Sequence, residues 1–189
     1  MIDIKYFWQM SKYKEDELPL YQQGKKETWT SVSDIGKVIY GEKVTVSDYL
    51  NVEDSFVEGI KAFMTCTKST QLTIKQLEKP LQIEVIKADV IQKGFSSDYN
   101  NTMFNLYQLL ERGTKVNFDE IEHLIRLALR EYIWVQLESD SMFVRFDYDY
   151  YVDIGAVVRC DEAVQQVRAI GLSINLWEEP YPFYSSIQE

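Results

Sequence analysis

The chain has 189 residues, a net charge of −10 at neutral pH and a sequence pI near 4.7. Hydrophobic content of 46% and aromatic content of 14%, with only 4 Pro and 8 Gly, specify a packed globule and exclude a disordered or linker-rich chain. No apolar run approaches the ~18 residues of a membrane span, and Met1 to Trp8 shows neither a basic leader nor a small-residue cleavage site, so no secretory signal is expected.

In chain order, residues 2–10 are rich in β-formers and predict a first strand. Residues 11–30 are polar, contain Pro19 and Gly24, and read as a long connection. Thr45 followed by Asp48 has capping-box spacing and opens a helix that should run to about Cys66. Its apolar positions are Val46, Tyr49, Leu50, Phe56, Val57, Ile60, Phe63 and Met64, at 3–4 spacing with a gap at the polar Glu53. Gly59 costs about 1 kcal/mol inside a helix, which predicts close packing of another element there. Leu72 to Ile74 and the alternating Leu81 to Ile86 read as two strands. Met103 to Leu110 predicts a short helix closed by Gly113.

Asn117 and Glu120 open a helix to about Arg130, whose stripe of Phe118, Ile121, Leu124, Ile125, Ala128 and Leu129 is the strongest in the chain. The period then switches to strands at 132–137, 142–146 and 150–154. A helix from Asp161 to Ile170, closed by Gly171, and a strand from Leu172 to Trp177 complete the described pattern. Strand runs mixed with helices predict an α+β fold with a largely antiparallel sheet packed by two or more amphipathic helices. One domain over 1–189 is expected, with 113–117 as the candidate sub-boundary.

Charge is distributed unevenly. Residues 116–189 contain 14 Asp and Glu against 5 Arg and no Lys, so they carry −9 of the −10. Within them, Phe146-Asp147-Tyr148-Asp149-Tyr150-Tyr151-Val152-Asp153 interleaves carboxylates with phenol rings. Such a surface attracts cationic partners and repels phosphate backbones, so nucleic acid is not an expected ligand. On one strand, Asp147, Asp149 and Asp153 would share a solvated face with Tyr151, and Tyr148 and Tyr150 would turn to the core. That face is a plain solvated surface, a protein-contact surface, or a cation site. The last is disfavoured because the segment has no EF-hand spacing, and no specific divalent-ion site is expected. Tyr151 is the surface aromatic of choice, since Tyr brings large rigid area with a polar tip.

Glu178 and Glu179 precede Pro180-Tyr181-Pro182-Phe183-Tyr184, read either as a tail packed across the sheet or as part of the same contact surface. His123 is the lone histidine, with no second ligand and no nucleophile motif, so a structural or exposed role is expected. Cys66 and Cys160 have no CxxC spacing and read as two buried or half-buried thiols in a reducing cytoplasm, with a disulfide or a reactive thiol as alternatives. No phosphate loop, nucleophile elbow or RNA-binding motif occurs, so neither an enzyme nor a bound cofactor is expected.

Two stretches resemble a known group. Asp34-Ile35-Gly36-Lys37-Val38 with Val44-Thr45-Val46-Ser47-Asp48-Tyr49-Leu50-Asn51-Val52-Glu53-Asp54-Ser55-Phe56 resembles an IGxVxxGxxLTxxEYLxxEDAY block. Asp147 to Gly155, with Gly171-Leu172 and the later Glu-Pro-Tyr, resembles a GYDYYMYIG…GL…SPY block, departing from it at Phe146 and Asp153. Both blocks resemble small bacterial proteins encoded near polymorphic or contact-dependent toxins and presumed to be immunity proteins. The resemblance implies a cytoplasmic protein that neutralises a cognate toxin domain, and of its residues only the matching Asp147–Asp153 stretch is carried over. The charge pattern itself points to a basic toxin domain and to a contact surface of Asp147, Asp149, Tyr151, Asp153, Glu178 and Glu179. The alternative is a metal- or small-ligand-binding protein that uses the carboxylates of 147–153.

Overall fold

The computed structural model describes residues 3–95 and 100–177. Strand β1 (Tyr6–Ser11) leads into a connection that holds one short helix, α1 (Leu18–Gln22). A 3-10 turn at Val32–Asp34 and a small ribbon, β2 (Val38–Ile39) and β3 (Glu42–Lys43), follow. Helix α2 (Val46–Cys66) is the longest element. The Thr45 hydroxyl accepts from Asp48 N at 3.1 Å, and Asp48 Oδ2 accepts from Thr45 N at 3.1 Å. This capping box satisfies two amides that the helix leaves open, a contribution of about 1 kcal/mol.

Strand β4 (Gln71–Glu78) is followed by α3 (Ile83–Gln92) and α4 (Asn100–Leu109), then β5 (Lys115–Asn117) and α5 (Ile121–Leu129). Strands β6 (Trp134–Glu138), β7 (Met142–Phe146) and β8 (Tyr151–Ala156) form a meander, and α6 (Asp161–Ala169) and β9 (Ser173–Trp177) close the described chain. Seven strands make one sheet in the order β5-β4-β6-β7-β8-β1-β9, with every pairing antiparallel. This is an α+β fold in which amphipathic helices pack on a largely antiparallel sheet.

Helix α2 lays Phe56, Ile60 and Phe63, all fully buried, toward Trp8 and Met10 of β1. The Trp8 and Phe63 rings stand 5.0 Å apart. At Gly59 both β1 and α6 press close on α2: a Cβ there would lie 2.8 Å from Met10 Sδ and 3.2 Å from Val167 Cγ2. The close approach expected from the sequence is therefore present on two sides.

Three expectations change. Residues 81–86 are not a strand, because α3 begins at Ile83 and buries Ile86 and Val90 at helical spacing while Val85 stays half exposed. Six alternating residues are too few to separate a strand from the start of a helix. Glu53 is not a polar gap but a buried residue at 1% exposure. Its carboxylate receives Arg130 Nε and Arg126 NH1, each at 2.7 Å. The Arg130 guanidinium carbon also lies over the Phe95 ring, 4.2 Å from its centroid. Finally, Cys66 and Cys160 are not free thiols. They form a disulfide between the end of α2 and the start of α6, across 94 residues of sequence. The separation that hid the pairing in the sequence is closed by the packing of α2 against α6.

Candidate functional site

The β7–β8 connection departs most from the sequence expectation. Residues 147–153 do not form one strand. Phe146 pairs with Val152, and the chain reverses between them, with Asp147 N donating to Tyr151 O at 2.9 Å. Asp147 caps the turn through Tyr148 N, which donates to Oδ1 at 2.8 Å. Asp149 and Tyr150 both take left-handed backbone, with φ of 56° and 60°. Asp tolerates that conformation and a bulky ring does not, so Tyr150 is a strained position. Such residues cost about 1–3 kcal/mol each and persist where packing over-determines them. Here the Tyr150 ring is buried, 4.9 Å edge-on from Trp29, and its hydroxyl donates to Leu129 O at 3.3 Å. Tyr49 donates to the same carbonyl at 3.1 Å. Burial disfavours the phenolate form and raises both pKa values well above the ordinary tyrosine range.

The turn separates the residues that the sequence grouped. Asp147 and Asp149 stand together, exposed, on the loop. Tyr148 between them is 86% exposed, although alternation assigned it to the core. Tyr151 opens β8, half buried, its ring 5.3 Å from that of Tyr13. Asp153 is not a surface residue: it is 3% exposed, faces Arg145 and Gln9 in the strand register, and accepts Gln9 Nε2 at 3.1 Å. The left-handed pair at 149 and 150 breaks the period of two, which is why one spacing rule could not place all three aspartates. Glu178 and Glu179 lie outside the described residues.

The turn forms one wall of a cleft of about 670 Å³. Glu78 at the end of β4 and Glu131 after α5 add two carboxylates, and Trp134 and Phe146 add apolar surface. Arg145 is the basic residue among the lining groups. Five non-glycine residues described here have positive φ, and three of them, Glu131, Asp149 and Tyr150, line this cleft. Strain of this kind concentrates where a site must hold a particular shape. The arrangement suits a cation: four carboxylates against one guanidinium, with rings to stack on. Among the described residues, no group of three or more His, Cys, Asp and Glu side chains is placed to hold a metal ion. No described helix is long and apolar enough to cross a membrane. His123 is buried on α5, and burial lowers its pKa from the ordinary value.

Sequence reasoning missed Tyr148, Glu131 and Glu78. The last two come to the cleft only through the sheet order and carried no local signal. Tyr148 had one: an Asp-Tyr-Asp-Tyr run between two strands also fits a hairpin turn, since Asp favours turns and tolerates left-handed backbone. No protein-family model, no curated protein and no solved structure matches the chain.

Proposed function

We propose that this chain is a binding protein, not an enzyme, that neutralises a basic toxin domain by contact through the cleft-side turn Asp147-Tyr148-Asp149. The observation that carries the reading is the turn itself: two exposed carboxylates flank a ring that is 86% exposed, at the mouth of an acidic cleft. A large exposed ring among like charges is costly to keep in water and useful at an interface. Carboxylates around it steer a cationic partner and reject phosphate backbones, which supports a protein partner over nucleic acid. Glu131 and Glu78 extend the acidic surface beyond the residues the sequence nominated, while Asp153 takes no direct part. The resemblance to immunity-type sequences supports the same reading.

The test is protection. Cells that express the cognate toxin domain should survive when the chain is co-expressed. Survival should fail with Asp147→Asn, Tyr148→Ala and Asp149→Asn combined, at equal soluble levels of the chain. Protection that persists in the triple variant overturns the role of the turn. No protection by the parent chain overturns the function.

The cleft volume favours a second reading, because about 300–1,000 Å³ is the usual range for small-ligand sites. A small cation held by the same carboxylates would be lost on neutralising Glu78 and Glu131, the two cleft carboxylates that lie outside the turn.

A further inference from the structure

Lys12 follows β1 and projects into the structure behind the acidic turn. Its ammonium lies 4.2 Å from the centroid of the Trp29 ring, 4.6 Å from that of Tyr13 and 5.9 Å from that of Tyr150. Its described hydrogen bond runs to the Thr28 hydroxyl at 3.5 Å. A lysine held by three rings and one hydroxyl has exchanged most of its hydration for weak, diffuse attraction. One ring of this cage, Tyr150, is the strained residue of the turn and also lines the cleft.

We infer that Lys12 is a positioning residue for the acidic turn: its charge, caged by Tyr13, Trp29 and Tyr150, holds Tyr150 and Asp149 in their left-handed conformation and makes the turn respond to pH. This inference concerns the same turn as the proposed function but is read out in the free protein, so either can fail without the other. Every element packed around the ammonium contributes to the balance. Burial between β1, the 28–34 segment and the turn disfavours the charge, while Asp149 on the turn and Asp34 in the 3-10 segment favour it. Burial prevails and lowers the Lys12 pKa to about 7. The facing phenols stay neutral, since burial raises Tyr13 and Tyr150 well out of range of this titration. Loss of the proton removes the attraction that draws the three rings around one point and the attraction to Asp149 across the turn. Tyr150 is then held by the Leu129 carbonyl and the neutral rings of Trp29, Tyr49 and Phe56, without the cation.

The experiment is an NMR titration of the whole chain from pH 5.5 to 9, following the Lys12 side chain, the Trp29 indole and the Tyr148 and Tyr150 rings. The parent should show Lys12 and the turn signals moving together, with one midpoint near 7. Lys12→Met, which removes the charge, should hold the turn signals at the parent's high-pH positions throughout. Lys12→Arg, which cannot lose its charge, should hold them at the low-pH positions. Thermal melts confirm that each variant is folded. Should Lys12→Met unfold the chain, the parent and Lys12→Arg profiles still decide. Turn signals that stay fixed while Lys12 titrates would overturn the inference, as would a Lys12→Arg profile that follows the parent's.

Discussion

At the scale of single residues, two side chains changed meaning once their neighbours were known. Asp153 belongs to the sequence's acidic run but not to its acidic surface. Asp153→Ala should therefore cost stability, about 1–3 kcal/mol for a buried acceptor whose partner is left unmade, and leave affinity for a basic partner unchanged. Urea melts together with a binding isotherm separate the two effects. Lys12 makes a prediction about pH. Its pKa is lowered from 10.5 to about 7 on folding, so between those values the unfolded chain holds the extra proton. Stability then rises as pH climbs from about 7 toward 10, and the gain is fully absent below 7. Above 10 the buried tyrosines work in the opposite direction, because their raised pKa values favour the folded state only while they stay protonated. Lys12→Met should flatten the slope between pH 7 and 9 in chemical denaturation, and an unchanged slope would mean that the lysine is solvated.

At the scale of elements, the sequence was most informative where one period ran long. The stripe of α2 with its Thr45 cap and the stripe of α5 were legible because each runs over more than two turns. The expected start of α5 at Asn117 was not met: Asn117 ends β5 and accepts from Asp119 N and Glu120 N in the turn, and the helix begins at Ile121 without a side-chain cap. The strands β7 and β9 were legible for the corresponding reason. Short segments were not: six residues at 81–86 fitted two periods, and residues 147–153 looked like a strand because a turn of alternating Asp and Tyr mimics one. The junction of α2 and α5 carried a signal that went unread. Glu53 falls on the apolar stripe, between Tyr49 and Phe56, while Arg126 in the last turn of α5 and Arg130 at its C-cap sit one turn apart, so an acid and two bases were already arranged to meet. Removing one member of a buried ion group costs about 3–5 kcal/mol, which is the loss expected for Glu53→Ala. Calorimetric unfolding measures it, and a loss under 1 kcal/mol would show that water solvates the two guanidinium groups.

At the scale of the whole molecule, three features share the task of making one surface. The sheet order brings the end of β4, the start of β6 and the β7–β8 turn to one edge of the cleft. The buried ion group fixes α5, and with it Leu129 and Glu131, against α2. The Cys66–Cys160 bond ties α2 to α6 across 94 residues of sequence. A closed loop of that size contributes up to about 4–5 kcal/mol in the chain-entropy model, so reduction should lower the melting temperature by roughly 5–15 °C without changing the affinity of the turn for its partner. A melt that is insensitive to reductant would mean that the bond contributes nothing to stability. The candidate site was only half legible because it is assembled at this scale: Asp147 and Asp149 were in the sequence to be seen, whereas Glu78, Glu131 and the exposure of Tyr148 depend on sheet order and on two left-handed residues. The central claim is that this assembled acidic turn binds a basic protein. Its most direct test is calorimetric titration of the cognate toxin domain that the proposed function calls for, at low and high salt, with the parent and with Asp147→Asn and Asp149→Asn combined. The account predicts at least a tenfold weaker complex for the variant at low salt, about 1.4 kcal/mol, with the difference shrinking as salt screens the charges. Equal affinities for parent and variant at both salt concentrations would contradict it.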